Sequence, residues 1–298
     1  MANLPNSILI CIMAATCIIN SGCSNARGTA AKSSNARGTA AQSGTTHVAS
    51  SHGAAAQSAG PGDKWIKLFN GKDIKDWTVK INHHDAGENF GNTFRVEDGI
   101  IKVRYDQYGE FNEQYGHLYY NQPFSHFHLV VEYRITGEWK TDAPGYTIRN
   151  SGIMYHSQDP RTMLKDQDWP ISVECQLLAA LEDGQPRPTG NMCSPGTDVV
   201  YNGKIDDRHC IESSSKTYKV DEWVRAELIV LGDSLITHII NGDTVLRYSK
   251  PQIGGGVVNN YDEAIKIDKT PLTEGFIALQ SEGQPVDFRK IELLNLEK

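Results

Sequence analysis

The sequence predicts an all-β fold, two antiparallel sheets packed as a sandwich or jelly roll, and three observations carry that prediction. Short segments of alternating apolar and polar residues recur from Trp65 to the end of the chain. Turn-forming residues separate them. No stretch of any length keeps a helical period, and no strand–helix alternation suggests a parallel sheet.

The elements that precede this domain are not core-forming. Ile8 to Ile19 (ILICIMAATCII) is a largely apolar run of twelve residues. A helix needs roughly 20 such residues to span a bilayer, so the run reads as the apolar region of a signal peptide. Asn20-Ser21-Gly22-Cys23 follows and is similar to a lipoprotein cleavage site, in which Cys23 becomes the acylated N-terminus. The alternative is ordinary signal cleavage that releases an unlipidated protein. Either way the chain is expected to be exported to the cell envelope or periplasm, touching a membrane only through that anchor. Residues 24–62 hold a ten-residue repeat beginning at Asn25 and again at Asn35, with small residues predominating. Such a segment cannot bury enough apolar surface to offset its ordering entropy, so it is expected to be a flexible linker. His47 and His52, isolated within it, do not make a metal site. The expected organisation is therefore a signal segment (1–23), a linker (24–62) and one folded domain (63–298).

Charge narrows the function. Of the 29 basic residues three lie before Asp63, while all 36 acidic ones lie at or after it, so the folded part carries a net charge of −10. No Lys/Arg run offsets this, which argues against nucleic acid as a partner. There is no G-x-G-x-x-G and no P-loop, and Gly254-Gly255-Gly256 has no phosphate-binding context, so no nucleotide cofactor is expected.

Within the domain, Thr93–Val96 and Ile100–Val103 flank Glu97-Asp98-Gly99 as a hairpin. His126–Ile135 alternates, with Leu129, Val131, Tyr133 and Ile135 on one face and His128, Glu132 and Arg134 on the other. Ile171–Leu177 does the same: Ile171, Val173, Cys175 and Leu177 point one way, Ser172, Glu174 and Gln176 the other. Leu235–Ile240 and Thr244–Tyr248 surround Asn241-Gly242-Asp243, the strongest hairpin signal in the chain. Gly275–Gln280 and Val286–Leu293 finish it. Of six cysteines, Cys11 and Cys17 fall in the signal, and Cys175 shares an apolar strand face and is expected to be a buried thiol. Cys193 and Cys210 bracket a loop-rich segment and are expected to form a disulfide in an exported chain.

Several stretches together resemble the 3-keto-disaccharide hydrolase family. They are Leu68-Phe69-Asn70-Gly71-Lys72-Asp73 with Trp77, Arg149-Asn150-Ser151-Gly152-Ile153-Met154-Tyr155-His156, Trp169-Pro170-Ile171-Ser172-Val173-Glu174-Cys175-Gln176, and Pro188-Thr189-Gly190-Asn191. Asn241-Gly242, Gly275-Phe276-Ile277-Ala278-Leu279-Gln280 and Phe288-Arg289-Lys290-Ile291 complete the set. The resemblance implies a concanavalin-like jelly roll with a concave, sugar-holding face. Many members carry His in the turn after the Leu-Gln strand, where this chain has Gln284.

It also implies a chemistry. In a 3-keto sugar the ketone acidifies the proton at C2; a base removes it, the C1 substituent is expelled, and water adds back. Glu174 is the first candidate for that base, because strand parity puts it opposite the core and shelter raises a carboxyl pKa. His156 is the second acid/base candidate. Gln176, Asn150, Gln280 and Arg134 are candidate substrate ligands, Arg134 with the further possibility of stabilising an enolate. A divalent metal on Glu174 and His156 is an alternative way to polarise the ketone. His126, His128 and His238 read as surface or packing residues, and Arg289 as the partner of a carboxylate. Two other functions fit the same fold: a non-catalytic carbohydrate-binding module, and a conventional glycosidase. The latter needs a second carboxylate across the cleft, which the outward face of 171–177 does not supply.

Overall fold

The computed structural model describes residues 64–297. The expected signal segment, the linker and Cys23 lie outside the described residues. In chain order the first strands are β1 (Trp65–Lys67), β2 (Trp77–Ile81), β3 (Phe94–Glu97), β4 (Ile100–Val103), β5 (Gly116–Tyr120), β6 (His126–Ile135), β7 (Asn150–Ser157) and β8 (Val173–Leu178). They continue with β9 (Asn191–Cys193), β10 (Thr197–Tyr201), β11 (Lys204–Asp206), β12 (Cys210–Ile211), β13 (Val224–Leu231), β14 (Leu235–Ile240), β15 (Asp243–Ile253), β16 (Phe276–Ser281) and β17 (Val286–Asn295).

They form two antiparallel sheets. One runs β11-β10-β15-β14-β13-β6-β17-β4-β3, with β1 added on β17, and the other β12-β9-β8-β7-β16-β5-β2. Sheet neighbours such as β7 and β16 lie far apart in the sequence and are joined only through long connections, as in a jelly roll. The core between the sheets is built by parity. β6 contributes Phe127, Leu129, Val131, Tyr133 and Ile135, and β13 Val224, Ala226, Leu228 and Val230. From the other sheet come Ile153 and Tyr155 of β7, Val173, Cys175 and Leu177 of β8, and Ile277 and Leu279 of β16. Cys175 is a buried free thiol, its pKa raised chiefly by that burial. His238 is a core residue, bonded to Gly190 O through Nδ1 and to the Tyr155 and Tyr248 hydroxyls through Nε2.

β7 is buried along its whole length, because its second face is covered too. There Met154 packs with Tyr119, Met163 and Ala278 in a small outer cluster, against which Trp169 lies. Ile171, Ile253 and Val258 form another, under Trp169 and Leu272. These clusters, in which loop residues such as Met163, Trp169 and Val258 pack onto strand residues, wall in part of the sheet's outer face and leave a gap between them.

Candidate active site

The gap is a cavity of about 360 Å3 on the outer face of the seven-stranded sheet. Its polar residues are Asn150 from β7, Glu174 and Gln176 from β8, Gln280 from β16 and Glu282 just beyond it; Tyr146, Trp169, His209, Val257, Pro195 and Cys210 complete the lining. The parity that sends Val173, Cys175 and Leu177 into the core sends Glu174 and Gln176 outward. Gln176 Oε1 accepts a hydrogen bond from Asn191 Nδ2 at 3.0 Å.

Glu174 is 6% exposed. Burial alone pushes its carboxyl up to about 8. It leans over Gly152, the residue beside Gln176 in the β7–β8 register; a Cβ at Gly152 would lie 2.8 Å from Glu174 Cδ. Glycine at 152 is what leaves room for the carboxylate. Glu282 is pushed well above the ordinary range, first by burial and then by the negative charge of Glu174, against the partial relief of Arg187. The site thus holds two carboxyl groups that burial keeps from ionising together. Asn150 Oδ1, Gln280 Oε1 and Glu282 Oε1 are buried without a hydrogen-bond partner. Each such atom costs roughly 1–3 kcal/mol, so a ligand that satisfied them would bind into a wall already desolvated.

The Cys193–Cys210 disulfide closes one side, with the two α-carbons 4.1 Å apart. Cys193 is directly opposite Glu174 in the β8–β9 pairing, and β12, which carries Cys210, is the edge strand paired with β9 among the described residues. The bridge therefore ties the edge strand down beside the Glu174 carboxylate.

Two expected site residues are elsewhere. His156 has a left-handed backbone (φ 46°), and the β7–β16 register slips between Phe276 and Ala278 beside it. This irregularity breaks the parity that would have aligned His156 with Met154, and its Nε2 donates instead to Gly232 O at 3.0 Å. Burial lowers its pKa. It does not line the cavity, and the expectation of a metal shared by Glu174 and His156 is corrected accordingly. Arg134 belongs to the other sheet; its guanidinium pairs with Asp287 at 2.6 Å and sits 4.7 Å over the Trp223 ring. It takes no part in this cavity. Arg289 pairs with Glu132 at 2.9 Å.

Gln284 is also outside the cavity. Its Oε1 accepts from Arg149 N at 2.9 Å and its Nε2 donates to Thr136 O at 2.8 Å, so it braces the turn after β16. The residue of that turn that does line the cavity is Glu282, which the sequence reading missed. The signal was available: Gln280 and Glu282 are two apart, like Glu174 and Gln176, and share a face by the same rule. His209, Tyr146 and Trp169 come from loops and had no periodic signal.

A family model described as the 3-keto-alpha-glucoside-1,2-lyase-like domain matches residues 64–294. A protein named 3-keto-disaccharide hydrolase from Bacteroides thetaiotaomicron is 25% identical over 254 residues, 79% of each chain. Among solved structures, a candidate glycosyl hydrolase of Parabacteroides distasonis aligns at 18% identity and TM-score 0.48, covering 78% of this chain and 100% of the other. A carbohydrate-binding module of Bacillus subtilis aligns at 10% identity and TM-score 0.44, covering 74% and 95%.

Proposed function

This chain belongs to the 3-keto-alpha-glucoside-1,2-lyase-like domain family, and on that premise we propose that its cavity is the active site of a carbohydrate-active hydrolase that cleaves 3-keto-glycosides, with Glu174 as the general base. One observation carries the reading: Glu174 is a buried carboxyl on the cavity wall, raised to about 8 by burial and by nothing else. A carboxylate in that range is a far stronger base than an ordinary one, and its ionised form, a minority at neutral pH, grows as pH rises toward about 8. The acid it must deprotonate is the C2–H of the keto sugar. The electron pair left at C2 passes into the ketone as an enolate. When the carbonyl re-forms, the C1–O bond breaks and the leaving alcohol takes up a proton. Water then adds at C1 while C2 regains a proton, and the net change is hydrolysis with no oxidant or reductant. Gln176, held by Asn191, and the aromatic walls Tyr146 and Trp169 suit the positioning of a pyranose ring.

A second reading has an observation in its favour. A conventional glycosidase needs two carboxyl groups flanking the bond, and Glu282 supplies from β16's end the partner that β8 lacks. The deciding experiment is kcat/KM for wild type and Glu174→Gln on a 3-keto-glycoside and on its unoxidised parent. The proposal expects turnover of the keto sugar only, deuterium incorporation at C2 from heavy water, and a 10²–10⁴-fold loss in the variant with an unchanged circular dichroism spectrum. Turnover of the parent glycoside without exchange at C2 would transfer the site to the glycosidase reading, and binding without turnover of either would make it a binding module.

A further inference from the structure

Three buried side-chain atoms in the cavity wall have no hydrogen-bond partner, and all three are oxygens: Asn150 Oδ1, Gln280 Oε1 and Glu282 Oε1. Their residues are 7%, 1% and 3% exposed. The sheet brings them together. β7 and β16 are neighbours with Leu279 opposite Ile153, so Gln280 stands beside Gly152 and, two residues on, Glu282 stands on the Asn150 side. Gly152 has no side chain to intervene. Asn150 Nδ2 donates to Tyr146 O at 3.2 Å, which leaves Oδ1 as the unpartnered end of the amide. Glu174 leans over Gly152 from the other side. No Lys or Arg is among the residues lining the cavity, and Glu282 takes part in no ion pair among the described residues.

We propose that Asn150 Oδ1, Gln280 Oε1 and the Glu282 carboxylate form a binding site for a hard divalent cation of the calcium, magnesium and manganese class. An all-oxygen set of one carboxylate and two amide carbonyls is the donor chemistry such ions select, and it discriminates against soft ions that seek sulfur or imidazole. The second acidic side chain, Glu174, is not spent as a ligand and stays free to move a proton. Sugar hydroxyls alone would also satisfy three acceptors. The Glu282 carboxyl, however, makes no ion pair among the described residues and has only the partial relief of Arg187, and a cation on its oxygens would hold it ionised. The inference deepens the function proposed above: three protein oxygens leave coordination positions for the ketone and a neighbouring hydroxyl of the substrate. The cation would carry the enolate charge while Glu174 moves the proton.

The binding measurement needs no substrate. The full chain is stripped with chelator, dialysed, and titrated calorimetrically with calcium, magnesium and manganese chlorides, with manganese binding followed in parallel by its electron paramagnetic signal. The expected result is one equivalent of at least one of these cations and a raised Tm. Affinity should fall at least tenfold in Glu282→Gln and in Gln280→Leu, both checked for fold by circular dichroism. Absence of binding at millimolar concentrations of all three overturns the proposal, as does undiminished affinity in well-folded variants, which would place the ion elsewhere on this acidic surface. Turnover of a 3-keto-glycoside that persists in chelator, together with no binding, would overturn the cation while leaving Glu174 as base. Binding without any such turnover would uphold the cation and sink the substrate reading.

Discussion

The Glu174 carboxylate lies across the sheet over Gly152, close enough that a Cβ at that position would meet Glu174 Cδ at 2.8 Å. A side chain on β8 is thus held in place by the absence of one on β7. Gly152→Ala is expected to displace the carboxylate while leaving the core face of β7 untouched. Misplacement of a catalytic group by about 1 Å can cost about 100-fold, so kcat/KM should fall on that scale. The check is a double-mutant cycle with Glu174→Asp. The shorter acid fits beneath the added methyl, so the double variant should lose less than the sum of the two singles. Strict additivity would mean that Gly152 serves only the backbone.

The raised carboxyl has a consequence for stability. Between the ordinary carboxyl value of 4.5 and about 8, the folded protein holds a proton on Glu174 that the unfolded chain has released. Stability therefore falls as pH rises through that window, and above it the full penalty, on the order of a few kcal/mol, is present. Glu174→Gln removes the penalty. In chelator, its Tm advantage over wild type should be absent near pH 4, grow up to about pH 8 and then level off. An advantage independent of pH would show that Glu174 is hydrated in the folded protein.

An opposite sign holds on the far sheet. Glu227 is drawn down to about 2 by hydrogen bonds from His128 and Arg225, which outweigh its burial. Its contribution is present above the ordinary carboxyl range and lost as pH falls toward about 2. Glu227→Gln should lower Tm near neutrality and converge with wild type in acid. Parallel Tm curves across that range would count against the pairing.

The Cys193–Cys210 bridge fastens β12 beside Glu174. A loop of this size stabilises by on the order of 3 kcal/mol. Replacing both cysteines by serine should lower Tm and, by letting water reach Glu174, lower kcat/KM as well. Unchanged activity in a destabilised variant would confine the bridge to a structural role.

Acylation of Cys23 is proposed from the apolar run and the small residues before it. Cys23→Ser should move the protein from the membrane to the soluble fraction, and persistent membrane association would refute the anchor.

Periodicity by itself determined the fold class, the core faces of β6 and β8, the late hairpin and the outward placement of Glu174 and Gln176. A period of two is a local property that β6 and β8 carry along their lengths, while the late hairpin was marked by its turn residues although its register shifts between His238 and Ile239. The disulfide was legible from two cysteines in a loop-rich segment of a chain that the sequence leads one to expect outside the cytoplasm. Tertiary structure alone decided which outward residues share a cavity. Arg134 satisfies the same alternation as Glu174, yet its strand lies in the opposite sheet and its charge is taken by Asp287. His156 sits on the right strand, but a left-handed residue and a register slip turn its ring to Gly232. Glu282 shares a cavity with Asn150 only because β16, more than a hundred residues further along the chain, pairs with β7. Strand order and register are set by the packing of the whole sandwich, and no stretch of sequence carries that information alone.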